Sequence, residues 1–311
     1  MRLSQLTSPN REATNAQSSC SDADSTALNP AYLAIRDLIY RNAGIYYSAD
    51  KLYLMAERCQ RRMKLLGAPS AEEYLARLNS SPGSATEIRS LLNEITVGET
   101  YMFRSPSQLA ALQNIIIPGI IADQNNAHTK HIRIWSAGCS TGEEPYTLAM
   151  ILLELGESQL KGWTFEVLAS DINDTSLEIA RAGVYGEYAL RNTAAAFRSK
   201  YFDRHDQVRL QIKSRVKSVV HFSRLNLNDV DSFRLLNPIH VIFCCNVLIY
   251  FDLASKSHVI QGFYSTLLPQ GHLFLGHAES LFQVTTPFRL VHFPQATAYR
   301  KGPELTKGGK L

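Results

Sequence analysis

The reading of the fold turns on Trp135-Ser136-Ala137-Gly138-Cys139-Ser140-Thr141-Gly142-Glu143-Glu144-Pro145-Tyr146. Just before this stretch, Ile132-Arg133-Ile134-Trp135 alternates apolar and charged residues and predicts a short strand. Just after it, Leu148, Met150, Ile151, Leu152 and Leu155 make one apolar helix face. A strand, a turn of small residues and a helix form the opening of a nucleotide-binding α/β unit. Gly138 and Gly142 let the backbone turn sharply and leave room for a ligand. The helix start then offers N–H groups with no intrahelical partner.

A phosphate site would place Lys, Ser or Thr beside such glycines. Here Glu143 and Glu144 open the helix instead. Two readings stand. The acids compensate the helix dipole in a first turn that also suits Pro145, or they repel phosphate and attract a cation. S-adenosylmethionine carries an ammonium and a sulfonium and no phosphate, so it fits the second reading. The next strand, Phe165-Glu166-Val167-Leu168-Ala169-Ser170, ends at Asp171. An acid closing the second strand of such a unit is placed to bond a ribose hydroxyl pair. Alternatively, Asp171 or Asp174 caps a helix over 175–182.

Several stretches together resemble the CheR-type chemoreceptor glutamate methyltransferases. They are residues 136–146 above, Ala169-Ser170-Asp171-Ile172-Asn173, Thr100-Tyr101-Met102-Phe103-Arg104, Ile242-Phe243-Cys244-Cys245-Asn246-Val247-Leu248-Ile249-Tyr250-Phe251, and Gly276-His277-Ala278-Glu279-Ser280. The motifs occur in family order between about residue 30 and residue 300. The resemblance implies an α/β fold: a Rossmann-like S-adenosylmethionine-dependent methyltransferase domain, with a mostly parallel sheet and an antiparallel closing strand. A small all-α domain precedes it, and a small antiparallel β-subdomain is inserted in it. The expected organisation is a disordered tail over 1–29, a helical receptor-recognition domain over 30–105, a methyltransferase domain over 106–301 with its β-subdomain at about 203–218, and a tail over 302–311.

Composition sets bounds on partners. The net charge of +4 is too small to argue for nucleic acid. The five cysteines, Cys20, Cys59, Cys139, Cys244 and Cys245, are odd in number and show no C-x-x-C spacing. That argues against a zinc site or disulfide framework and fits a reducing, cytoplasmic setting. No apolar run reaches the length of a membrane span, and no signal-peptide h-region is evident.

Along the chain, residues 1–29 are polar and 30–105 read as helical. Leu52, Met55, Cys59, Met63 and Leu66 fall at helical spacing on a second helix over 49–66. Arg58, Arg61, Arg62 and Lys64 lie largely off that face, a solvated face on the plainest reading. The resemblance gives them a receptor-facing role toward acidic methylation helices of methyl-accepting chemotaxis receptors. Thr100 and Arg104 are one helical turn apart and project to one side if that segment is helical. The resemblance places Thr100 and Arg104 at the cofactor or reaction centre. Gly98 stands where the family often has Asn, which leaves at most a backbone contact there.

The strand expected at 219–223 leads to Asn226 and Leu227, which by resemblance line the adenine pocket. The strand expected at 240–244 is almost wholly apolar, as a buried parallel strand should be. It delivers Cys245, Asn246 and Val247 to the edge where ligands bind in open α/β sheets. Cys245 stands where relatives commonly have Arg. Residues 208–212 and 216–220 alternate like an antiparallel pair. The linker Asp203-Arg204-His205-Asp206-Gln207 is short and has no glycine, whereas some relatives use a longer Gly-rich loop there to dock a receptor C-terminal pentapeptide. Independence from that pentapeptide is therefore expected.

The expected chemistry is methyl transfer to a receptor glutamate by a monomer, with no metal and no nucleic acid. A carboxylate is already ionised at neutral pH, so no general base is needed. The catalytic candidates are Arg104, which the resemblance places near the transferred methyl, and Tyr250, either a hydrogen-bond donor to the acceptor or a buried aromatic under the sheet edge; the cofactor set is Gly98, Thr100, Arg104, Gly138, Glu143, Asp171, Asn226, Leu227, Asn246 and Val247. Amino-methylating nucleic-acid enzymes carry Asn/Asp-Pro-Pro-Tyr/Phe after the fourth strand, where this chain has Cys245-Asn246-Val247-Leu248. A dinucleotide oxidoreductase would carry G-x-G-x-x-G. The other reading left is a non-catalytic, cofactor-binding scaffold of a chemosensory-like pathway.

Overall fold

A computed structural model of the chain describes residues 29–80, 83–96, 98–123, 126, 128–236 and 238–302. The tails expected at either end fall outside these residues, save Asn29 and Gly302. Asn29 is part of the fold: its side-chain oxygen accepts the Ala31 N–H at 2.8 Å at the start of helix α1 (Pro30–Ala43). The described residues divide into two compact units, one of residues 29–42 with Tyr46–Ile95 and one of Ala43–Ile45 with 96–302.

The first unit is helical. After α1 come α2 (Leu52–Leu66), α3 (Ala71–Asn79) and α4 (Ser84–Ile95). Leu52, Met55, Cys59 and Met63 are buried at the expected spacing. Leu66 is not: it is the last residue of α2 and 36 % exposed, because Gly67 turns left-handed (φ 62) and ends the helix. Ser70 caps α3 by accepting the Glu73 N–H. Inside the unit, Arg62 makes two hydrogen bonds to Glu87, at 3.0 and 2.7 Å, and the Tyr74 hydroxyl donates to the same carboxylate at 2.8 Å.

The second unit is built on strands β1 (His131–Ala137), β2 (Thr164–Asp171), β3 (Val184–Gly186), β4 (Phe202–Arg204), β5 (Arg209–Ile212), β6 (Val220–Arg224), β7 (Ile239–Cys244), β8 (Leu267–Leu275), β9 (Arg289–Phe293) and β10 (Ala296–Arg300). The main sheet runs β6-β2-β1-β7-β8-β10-β9. Neighbours from β6 to β8 are parallel, and β10 and β9 close the edge antiparallel.

Period-two alternation sorts the strand residues between two cores. Ile132, Ile134, Val167, Val241 and Phe243 join one, with Leu148, Ile151 and Leu152 of helix α7 (Glu143–Gly156). Trp135, Ile242 and Leu273 join the other, with Val259, Ile260 and Phe263 of helix α12 (Leu253–Thr266). Both faces are covered, which is why β7 is buried at every position.

Three expectations need correction. The small antiparallel sheet is β3-β5-β4, drawn from 184–212 rather than from about 203–218. Residues 214–217 are a helical turn, α11 (Ser214–Lys217), and Val220 starts main-sheet strand β6. Residues 98–104 are irregular, with Phe103 (φ 55) and Ser105 (φ 59) left-handed, so Thr100 and Arg104 are not related by a helical turn. The helix over 106–122 is interrupted: α5 (Pro106–Ala111) and α6 (Ile117–Ala122) flank a π segment, Leu112–Ile116. Pro118 lacks an N–H for the regular ladder just there.

Candidate functional site

The C-terminal ends of β1, β2, β6 and β7 converge, and the turn after β1 is stitched to the end of β2. The Gly138 and Cys139 N–H groups both donate to the Ser170 carbonyl, at 2.8 and 2.9 Å. The Asp171 carboxylate takes the Ser140 N–H on Oδ2 at 2.8 Å and the Asn173 N–H on Oδ1 at 2.9 Å. Burial raises the Asp171 carboxyl above its ordinary range, and these N–H donors act against that. Neither Asp171 nor Asp174 caps the next helix, α8 (Asp174–Ala182). Asn173 does, accepting the Ser176 N–H.

Close packing and a left-handed backbone require glycine at 138 and 142. A Cβ on Gly138 (φ 77) would lie 2.4 Å from Val247 Cγ2, and one on Gly142 (φ 93) 2.8 Å from Ala180 Cβ in α8. A Cβ on Gly98 would lie 2.3 Å from Ser140 Oγ. Gly98 therefore gives the Ser140 hydroxyl its room. That hydroxyl is buried and has no hydrogen-bond partner among the described residues.

The two acids at the start of α7 differ. Glu143 is 4 % exposed and accepts the Thr141 hydroxyl at 2.7 Å. Glu144 accepts the Ser136 hydroxyl at 2.7 Å. Its carboxyl is pushed up to about 7, chiefly by burial and also by the negative Glu279, while the Ser136 and Cys245 hydrogen bonds and positive Arg104 hold it down. Cys245 directs its thiol to Gln108 Oε1 at 3.7 Å, and Gln108 Nε2 donates to the Leu275 carbonyl at 2.7 Å. Burial raises the Cys245 thiol well above its ordinary range, so it is a neutral neighbour for Glu144.

After β7, Asn246 is left-handed (φ 61). Glu279 holds that turn: its carboxylate accepts the N–H groups of Asn246 and Gly276, both at 2.7 Å, and that of Ile249 at 3.2 Å. Tyr250 ends the short helical turn Leu248–Tyr250 and is 38 % exposed. Burial raises its phenol above the ordinary value while Arg104 lowers it, so the hydroxyl is a donor at neutral pH.

Arg104 Nη1 donates to the Glu99 carbonyl at 2.7 Å. Asn226 accepts the Asn228 N–H at 3.0 Å, and Leu227 is buried in the core. Leu225 N–H donates to the Asp171 carbonyl, which brings this segment beside the glycine turn. Thr100 is half-buried, and Arg58, Arg61, Arg62 and Lys64 lie in the helical unit.

The electrostatic neighbours of Arg104, Glu144, Tyr250 and Glu279 overlap, whereas Glu143 is enclosed by its own turn. The cofactor set read from the sequence took Glu143 of the two acids rather than Glu144, and gave Ser140 and Glu279 no role. The doubled acid after Gly142 signalled one facing the site, and Glu279 stood in a quoted motif.

Residues 98–297 match the family model "CheR methyltransferase, SAM binding domain", and residues 30–96 match "CheR methyltransferase, all-alpha domain". A chemotaxis protein methyltransferase 2 of Vibrio cholerae is 34 % identical over 270 residues, covering 87 % of this chain and 92 % of the relative. One from Borreliella burgdorferi is 35 % identical over 244 residues, covering 78 % and 86 %. One from Escherichia coli K12 is 32 % identical over 269 residues, covering 85 % and 89 %.

The residues at the sheet edge fit S-adenosylmethionine. Among the described residues, the glycine turn carries a buried hydroxyl at Ser140 with no hydrogen-bond partner and a carboxylate at Asp171 with lone pairs beyond those its N–H donors take. Glu144 adds negative charge suited to a cationic ligand. No helix among the described residues is long and apolar enough to cross a membrane.

The raised Glu144 carboxyl makes stability depend on pH. Its proton is held more tightly in the folded chain than in the unfolded one, whose ordinary value is 4.5. That stabilisation is complete below the unfolded value and is lost as pH rises through about 7. Glu144→Gln keeps the shape and removes the titration. Without ligand, the variant should melt higher than the wild type at alkaline pH, and the gap should close toward the unfolded value. Equal melting differences across that range by calorimetry would refute this.

Proposed function

Because the chain belongs to the CheR methyltransferase family, we propose that it esterifies glutamate side chains of methyl-accepting chemotaxis receptors, using S-adenosylmethionine, in sensory adaptation. The observation that carries the reading is the positive charge of Arg104 near the C-terminal sheet edge, which opposes the effect of burial on both Tyr250 and Glu144.

When bound, S-adenosylmethionine supplies an electrophilic methyl group on a sulfonium. An ionised glutamate oxygen would form the new O–C bond as the C–S bond breaks, the bonding pair leaving with sulfur as S-adenosylhomocysteine. Arg104 orients the acceptor carboxylate. The protonated Tyr250 donates a hydrogen bond to it. No residue needs to remove a proton, since glutamate titrates near 4.3. In-line placement and exclusion of water supply the rate. Gly98, Thr100, Gly138, Asp171, Asn226, Leu227, Asn246 and Val247 hold the cofactor, with Asp171 offering its remaining lone pairs to the ribose. Glu144, rather than the enclosed Glu143, faces the cationic end.

The cytoplasmic methylation helices of the receptor dock on α2. Of its cations, Arg62 is held by Glu87 and serves the fold. Arg58 and Arg61 lean on Glu94, at 3.9 and 3.1 Å, and Lys64 is exposed. These three are the receptor-facing set, acting by long-range attraction that salt weakens. The chain works as a cytoplasmic monomer.

The β4–β5 turn supports independence from a receptor pentapeptide. Asp206 accepts the Val208 and Arg209 N–H groups at 2.9 and 2.8 Å and pairs with Arg209 at 2.7 Å. The two N–H donors and the Arg209 side chain hold its carboxyl down to about 2. The turn thus satisfies its own polar groups.

The central test uses radiolabelled cofactor and receptor-bearing membranes. Label should be released as methanol by alkali, as a methyl ester requires. Arg104→Ala should lower turnover by about 100-fold or more, as for loss of a transition-state contact, with melting temperature and S-adenosylhomocysteine binding kept. Cofactor binding without any transfer by the wild type would favour the scaffold reading. In the same assay at low salt, Arg61→Glu with Lys64→Glu should raise the KM for receptor and leave cofactor affinity alone; an unchanged KM would remove α2 from the interface. Calorimetry with a receptor C-terminal pentapeptide should show no saturable binding, and a tight isotherm would reverse that reading.

A further inference from the structure

The helical turn α9 (Glu187–Leu190) is followed by Arg191, whose guanidinium lies between two aromatic rings. Its central carbon is 3.6 Å from the Tyr101 ring centroid and 3.9 Å from that of Tyr188. Its Nη1 donates to the Tyr188 carbonyl at 2.6 Å. A guanidinium is flat and can stack on a ring at each face while its N–H groups bond in plane, which an ammonium cannot do.

The stack closes a ring of contacts that includes Arg104. The Tyr188 hydroxyl donates to Glu99 Oε1 at 3.1 Å. The Glu99 carbonyl accepts Arg104 Nη1 at 2.7 Å, and the Arg104 guanidinium sits 5.6 Å from the Tyr101 centroid. Glu99 is therefore tied to α9 and Tyr101 to Arg191, and Arg104 leans back on both Glu99 and Tyr101. A backbone bond from the Met102 N–H to the Ala189 carbonyl, 2.9 Å, ties the middle. No regular secondary structure holds this segment, and residues on either side of Arg104 are left-handed. Side-chain contacts must then set the direction of Arg104. Tyr188 is 64 % exposed, so burial does not account for the stack.

We propose that Arg191 is a positioning residue for methyl transfer: stacked between Tyr101 and Tyr188, it fixes the segment that aims Arg104. The proposal rests on the role given to Arg104 above. A surface arginine that simply touched the receptor would act on receptor binding. One that acts through Arg104 would change the rate of transfer and would lose its effect once Arg104 is gone.

The test is steady-state transfer to receptor-bearing membranes by the full chain. Arg191→Ala should lower kcat about tenfold, equivalent to about 1.4 kcal/mol. KM for receptor, S-adenosylhomocysteine affinity and melting temperature should stay within about twofold or a few degrees of the wild type. Tyr188→Phe, which removes only the hydroxyl bond to Glu99, should lower kcat in the same direction by less. Adding Arg191→Ala to Arg104→Ala should change kcat by less than about twofold, because coupled residues are not additive. A raised KM with unchanged kcat, or two effects that multiply, would overturn the proposal. So would an active Arg191→Ala beside an inactive Arg104→Ala. Full activity in Arg104→Ala would overturn the role of Arg104 itself, and this proposal with it.

Discussion

The second unit depends on how the end of β2 holds the turn after β1. One carbonyl, that of Ser170, receives two successive N–H groups, and one carboxylate, that of Asp171, receives the next one in line. Three consecutive amides are thereby directed at a single strand end, and Ser140 is left-handed (φ 48) as a result. Helix α7 can start only from that geometry, since its N-cap Gly142 is left-handed too and makes no side-chain cap. The same stitch sets Asp171 against the start of α8 through Asn173, and against the end of β6 through Leu225. Buried N–H groups left without partners cost heavily. Asp171 therefore carries structure as well as any ligand contact.

Much of this was legible in the residues. The glycine turn, the acid ending β2 and the apolar run of β7 identified the order of the main strands, because each follows from a pattern that only one element type explains. Other features were not legible. Glu143 and Glu144 are neighbours on a helix, so their side chains diverge by about 100°, and which one faces the site depends on the entry angle fixed by Gly142. The alternation at 208–212 marked β5, whereas its partners β3 and β4 are three residues long, too short for alternation to register. Thr100 and Arg104 have helical spacing, yet Phe103 and Ser105 adopt a backbone that sequence seldom signals outside glycine and asparagine. Gly98 was read as a lost side-chain contact. Its geometry adds a gain, the space taken by the Ser140 hydroxyl.

Among the described residues, charge at the sheet edge is balanced without any close carboxylate pair to Arg104. Burial raises Glu144 and Asp171, which taken alone would leave both reluctant to ionise. Hydrogen-bond donors and the positive Arg104 oppose that trend at Glu144, and backbone N–H groups oppose it at Asp171. The carboxyls are poised so that a cation arriving nearby would favour their ionised forms. Cys245 contributes to the balance by being neutral: an arginine in its place would add a positive charge beside Glu144 and hold it ionised.

Left-handed non-glycine residues occur at Lys130, Gln270 and Gln295 away from the site, and the others among the described residues gather around it. Phe103, Ser105, Ser140 and Asn246 are non-glycine residues in left-handed conformations, and each borders a segment that carries Arg104, the glycine turn or Tyr250. Such conformations cost of order 1–3 kcal/mol each and persist only where surrounding contacts over-determine them. Those contacts are present at Phe103, Ser140 and Asn246. Phe103 N–H donates to the Thr147 hydroxyl at 3.0 Å, and that hydroxyl donates to the Glu143 carbonyl at 2.8 Å, linking the strained segment to the first turn of α7. Ser140 is held by Asp171, and Asn246 by Glu279. Gly276 must be glycine for the last of these to form, since a Cβ there would lie 2.8 Å from both Asn246 Oδ1 and Glu279 Oε2. The strain is thus distributed over loops that share anchors in α7 and at the strand ends, so a shift in one loop is resisted by the others. A site that relies on placement rather than on proton transfer needs that resistance, because its rate depends on distances the backbone alone must keep.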